Sequence, residues 1–123
     1  MLAALIVACV GLLLFFSFRI IYASGSKEEP KSTAPTLKHR LVIRELIGCE
    51  SQGRNIKILD TNGYYSYGIL QYQSSTWNAW SKLSGIQGSP MNIRDSITMA
   101  DWAIENGYLH HWSCAKILGL VQK

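Results

Sequence analysis

Apolar residues are distributed unevenly along this chain. Leu2 to Phe16 is a run of Leu, Ala, Ile, Val and Phe interrupted only by Cys9 and Gly11, and Met1 to Phe18 carries no charge. As a helix rising about 1.5 Å per residue, that stretch would span roughly 27 Å, close to the ~30 Å hydrocarbon core of a bilayer. Ile20, Ile21 and Tyr22 extend the run, with Arg19 placed to reach the headgroups. Residues 1–23 are therefore expected to be a transmembrane anchor or a signal segment, and Tyr22-Ala23-Ser24-Gly25 offers small residues for cleavage. Residues 24–35 (SGSKEEPKSTAP) hold almost no apolar mass and are expected to be a flexible tether.

Beyond residue 36 the pattern changes to that of a folded domain, expected over 36–123. Leu37, Leu41, Val42, Ile43, Leu46 and Ile47 recur at helical spacing from Thr36 to Cys49, and Gln52-Gly53 ends the helix. Asp60-Thr61-Asn62-Gly63 is a strong turn signal, flanked by Ile56 and Ile58 on one side and Tyr64, Tyr65 and Tyr67 on the other. An irregular hairpin fits there. Ser74-Ser75-Thr76 is expected to cap a second helix through Trp77, Trp80 and Leu83, closed by Gly85. Pro90 to Ile93 turns into a third, which Asn106-Gly107 stops. Tyr108 to Val121 supplies a last short helix. The expected fold class is mainly α with a small β-hairpin.

Composition narrows the function classes. The chain has 123 residues, 48% of them hydrophobic and 16% charged, which excludes a disordered protein. Of its 12 Lys and Arg and 8 Asp and Glu, nine bases and six acids follow residue 37, leaving the domain near +3. So small a charge does not call for nucleic acid and suits an anionic polymer or surface equally well. Three cysteines exclude a disulfide-dense miniprotein, and no CxxC or HExxH spacing points to a metal site.

Two carboxylates draw attention. Glu50 falls three residues after Ile47 and seven after Ile43, on the inward face at the last turn of the first helix. Burial there would raise its pKa and keep it protonated as a general acid; the plain alternative is a solvated Glu at a helix end. A negative charge near a helix C-terminus also works against stability, which adds a functional reading to the plain one without displacing it. Asp60 is either the second carboxylate of a glycosidase pair or an Asx-turn residue capping Asn62-Gly63. The tryptophans Trp77, Trp80, Trp102 and Trp112 have the spacing of core residues rather than of sugar-stacking rings. The pair His110-His111 reads as polar surface.

Glu50-Ser51-Gln52-Gly53, then Ser66-Tyr67-Gly68-Ile69-Leu70-Gln71-Tyr72, then Ser75-Thr76-Trp77 resembles the lysozyme-like lytic transglycosylases. Cys49 directly before Glu50, Asn62-Gly63-Tyr64-Tyr65 and Trp112-Ser113-Cys114 are similar, in order, to resuscitation-promoting factor catalytic domains. This likeness covers about residues 40 to 116. Asp60-Thr61-Asn62-Gly63-Tyr64-Tyr65-Ser66-Tyr67-Gly68-Ile69 resembles a stretch of phage-type lysozymes, in which the matching Asp and hydroxyl residue position the attacking water.

These resemblances imply a lysozyme-like fold that cleaves the β-1,4 bond between N-acetylmuramic acid and N-acetylglucosamine in peptidoglycan. Glu50 would be the catalytic acid, Asp60 and Ser66 would orient water, and Gln71, Tyr65, Tyr67 and Tyr72 would bind substrate. A transglycosylase would instead let the muramoyl 6-hydroxyl attack and leave a 1,6-anhydro end, and the sequence leaves the two products open. Cys49 and Cys114 would form a disulfide or remain as two buried thiols. A disulfide implies an exported domain in the cell envelope. Arg19, Lys27 and Lys31 follow the apolar run and no base precedes it, which by the positive-inside rule points the other way. The expected partners are glycan strands, and the membrane through residues 1–23, with no nucleic acid, no cofactor and no metal. The expected state is a monomer. The competing classes are a peptidoglycan-binding module without activity and an accessory wall-remodelling factor of a secretion or virion assembly.

Overall fold

The computed structural model describes residues 34–122, which belong to a compact unit, Ser32–Lys123. The expected anchor and most of the expected tether lie outside the described residues. Among the described residues no helix is long and apolar enough to cross a membrane.

The first helix, α1, runs from Leu37 to Glu50 and starts where Thr36 accepts a hydrogen bond from the His39 amide at 3.2 Å. Ile43 and Leu46 are its buried residues, whereas Leu37 and Leu41 stay exposed. Helical spacing alone placed all six of its apolar residues in one group; besides buried Ile43 and Leu46, Val42 and Ile47 pack half-buried against the core, while Leu37 and Leu41 do not reach it. The chain leaves α1 through Gln52 and Gly53, both in left-handed conformation at φ +56° and +78°. Buried Ser51 anchors this reversal by donating to the Ile69 carbonyl at 2.7 Å.

Strands β1 (Ile56–Leu59) and β2 (Tyr65–Gly68) form the expected antiparallel hairpin, with Ile58 opposite Ser66 and Lys57 opposite Tyr67. Its turn closes with Asp60 N–H to Tyr64 C=O at 2.8 Å and Tyr64 N–H to the Asn62 side chain at 3.0 Å. A third strand, β3 (Tyr72–Gln73), pairs antiparallel with β2, so the hairpin is in fact a three-stranded sheet. Two residues are too few for alternation to reveal a strand in sequence.

Helix α2 (Ser74–Ser84) follows directly and ends at Gly85, φ +75°. Gln73, not the Ser-Ser-Thr run, holds its N-cap position and makes no side-chain cap bond. Helix α3 (Ile93–Glu105) is capped by Asn92, whose side chain accepts from the Arg94 and Asp95 amides. It packs on α1, pinned by His39 Nδ1 and Asp101 Oδ1 at 2.6 Å. The expected last helix is broken into a 3-10 turn (Leu109–His111) and a short helix, α4 (Ser113–Ile117). Trp112 between them is extended (φ −81°, ψ 127°), which lets its indole N–H donate to the Leu70 carbonyl at 3.0 Å.

The core gathers on Tyr72, whose ring meets Trp77, Trp80 and Trp112 edge-on at 5.1, 6.0 and 5.7 Å. Such pairings add roughly 0.5–1.5 kcal/mol each beyond the area they bury. The disulfide between Cys49 and Cys114 ties the end of α1 to α4.

Gly68 has φ +81°, and a Cβ there would stand 1.9 Å from the Pro90 carbonyl oxygen. Gly68→Ala combines a strained backbone with a backbone clash and is expected to lower stability by about 2–4 kcal/mol. Urea unfolding of the two proteins checks this; an unchanged midpoint would mean that the loop around Pro90 yields freely.

Candidate active site

An open, largely polar cleft of about 550 Å³ lies between the hairpin and the helices. Each wall follows from local structure. The end of α1 brings in Glu50, and the hairpin contributes Ile58, Asp60 and Ser66. Strand β3 contributes Gln73, α2 contributes Thr76, and the junction before α4 contributes His111. Glu50 and the Asp60–Ser66 pair, ten and sixteen residues apart in sequence, thus share one cavity.

Glu50 is half-buried, and Oε1 accepts a hydrogen bond from the Cys114 amide at 3.4 Å. Burial raises its pKa above the usual carboxylate value of 4.5. The Cys114 amide opposes that rise in part, and the negative charge of Asp60 adds to it. Cys114 therefore acts twice here, through its bond to Cys49 and through its amide on the neighbouring residue's carboxylate.

Asp60 is held by two donors on Oδ2, the Ser66 hydroxyl and the Gln73 amide, the latter at 3.2 Å. The register explains this. Ser66 lies opposite Gln73 across β2–β3, so both side chains leave the sheet on one face. A fixed carboxylate and a hydroxyl bonded to it suit the positioning of a small polar molecule such as water.

The remaining expected site residues are placed differently. Tyr65 and Tyr67 do not line the cleft. They alternate with Ser66 along β2 and therefore take the opposite face, where the Lys57 ammonium sits 4.1 and 5.3 Å from their ring centres. Tyr72 reaches the floor of the cleft but is only 2% exposed, and its hydroxyl donates to the Ser96 carbonyl at 2.9 Å. The structure thus places it in the core, at the edge of the cleft. Gln71 does line the cleft. Its side-chain amide is committed to the Gly68 and Ile56 carbonyls at 2.6 and 3.0 Å, stabilising its own left-handed backbone (φ +52°), so only Oε1 is left for a ligand.

Two residues not expected at the site, Gln73 and His111, also meet here. Gln73 was hidden because β3 was not recognised. His111, exposed as expected, also leans a tilted ring against Trp80 with ring centres 5.0 Å apart and shares a 3.2 Å hydrogen bond with Thr76. Burial lowers its pKa, and the neighbouring His110 lowers it further, so both influences favour the neutral ring. The His-His-Trp run gave no such signal in sequence. Among the described residues no group of three or more His, Cys, Asp or Glu is arranged to hold a metal ion.

The chain matches no protein-family model, and neither a curated protein nor a solved structure matches it.

Proposed function

We propose that this chain is a peptidoglycan-cleaving glycosidase with a lysozyme-like domain, in which Glu50 is the general acid. One observation carries the reading: a half-buried carboxyl with a raised pKa shares an open polar cleft with a second, hydrogen-bonded carboxylate. Glycosidic cleavage needs one carboxyl that gives up a proton and a second carboxylate beside it. Lysozyme is the established example of that principle.

In this mechanism Glu50 gives its proton to the oxygen joining N-acetylmuramic acid to N-acetylglucosamine. The bond from that oxygen to the anomeric carbon breaks, and positive charge develops on the sugar. A water held by Asp60 and Ser66 attacks the anomeric carbon, and its proton passes to the Asp60 carboxylate. The two bonds fixing Asp60 favour this hydrolytic version over attack by the muramoyl 6-hydroxyl, which needs no second carboxylate. Export fits the disulfide, and residues 1–23 would hold the enzyme at the membrane beneath its substrate.

Activity requires protonated Glu50, so the rate is expected to fall as pH rises through its raised pKa. Asp60→Asn removes one of the influences that raise that pKa. Residual activity of this variant should therefore lose its basic side at lower pH than the wild type. The test is dye release from labelled peptidoglycan across pH 4–8 by wild type, Asp60→Asn and Glu50→Gln. Release by the wild type that Glu50→Gln abolishes supports the enzyme. Binding to the wall without release would instead make the chain a wall-binding module.

A further inference from the structure

The outward face of α1 is unusual for a helix that covers a core. Leu37 and Leu41 lie on it one turn apart and are 66% and 50% exposed, with Lys38, Arg40 and Arg44 exposed around them. Glu45 is the single exposed acid of this helix. Beside the start of α1, Ala34 and Pro35 join Ile93, Arg94, Ile97 and Thr98 of α3 in lining a second, predominantly apolar hollow. Ile93 there is 51% exposed, and Arg94 adds a fourth cation. Of the carboxylates nearby, Asp95 in the first turn of α3 accepts from the Ser89 amide at 3.1 Å, and Asp101 and Glu105 are turned to His39 at 2.6 and 3.8 Å. Exposed leucines rimmed by long basic side chains can enter the boundary of a lipid layer while the cations stay with its phosphates.

From this we propose that the domain lies against an anionic lipid surface through the outer face of α1 and the first turn of α3. Chain length adds to the charge match. Between the apolar run ending near residue 23 and Thr36 there are twelve residues, which reach at most about 40 Å when fully extended. A bilayer holding the apolar run would therefore always be within reach of this patch. Each basic residue beside such a surface raises affinity about five-fold and loses that effect in salt, while the leucines contribute independently of salt. Docked this way, the cleft at the opposite end of α1 would be held at a fixed height, because Leu37 and Glu50 mark the two ends of one helix.

The proposal does not depend on the glycosidase reading and is tested without it. The compact unit from Ser32 to Lys123, oxidised and with its near-UV circular dichroism checked, is floated with vesicles of phosphatidylcholine alone or with 30% phosphatidylglycerol. Three proteins are compared: wild type, Leu37→Ser with Leu41→Ser, and Arg40→Ser with Arg44→Ser. All four replaced residues are exposed, so folding should be preserved. The expected result is binding to the anionic vesicles only, reduced at least ten-fold by either pair of substitutions and reduced by salt for the wild type. Equal binding by all three folded proteins, or no binding at 50 mM salt, overturns the proposal. So does a concentration-dependent dimer that the leucine substitutions abolish, because a second copy would then be the occupant.

Discussion

Replacing Glu50 with glutamine is expected to lower kcat on peptidoglycan by about 10²–10⁴-fold, the usual contribution of a positioned general acid. Glutamine keeps the size of the side chain and an oxygen for the Cys114 amide, so glycan binding and the fold should survive. The same substitution should make the domain more stable at neutral pH. The folded state raises the pKa of Glu50, so its contribution to stability is fully present below the unfolded value, near 4.5. It is lost as pH rises through the raised folded value. Glutamine escapes that loss, and thermal unfolding should show a higher Tm for the variant at pH 7 with no gain at pH 3.5. A variant that is inactive but less stable at both pH values would mean that Glu50 supports the fold rather than the chemistry.

The second large effect concerns the disulfide. It closes a loop of 65 residues in a domain of only about 90, and such a crosslink typically contributes ~2–4 kcal/mol. Cys49→Ser with Cys114→Ser should therefore lower Tm by about 10–25 °C, as calorimetry would show. Activity should also fall well below the variant's own Tm, because the bond fixes both the turn that carries Glu50 and the amide that bonds it. Full activity under those conditions would confine the disulfide to a stabilising role.

How far these features could be read in advance depended on how local their causes were. The end of α1 at Glu50 follows from residue spacing and the Gln52-Gly53 reversal. The hairpin follows from Asp60-Thr61-Asn62-Gly63, since both signals lie within a few residues. Strand β3 and the extended Trp112 have distant causes, the edge of β2 and the Leu70 carbonyl, which no window around those residues contains. Tyr65 and Tyr67 are a different matter. A strand alternates its faces, so once Ser66 was assigned to the cleft, its two neighbours could not share it. Tyr72 combined both problems. Its aromatic face suggested a sugar contact, while the three tryptophans that enclose it come from α2 and the segment before α4.

The most direct measurement is mass spectrometry of the muropeptides released from purified peptidoglycan by the oxidised domain, beside Glu50→Gln. A hydrolase that uses Asp60 and Ser66 to hold water predicts fragments ending in reducing N-acetylmuramic acid from the wild type and none from the variant. Fragments with 1,6-anhydro ends would contradict the role given to Asp60, and equal release by both proteins would contradict Glu50 as the acid.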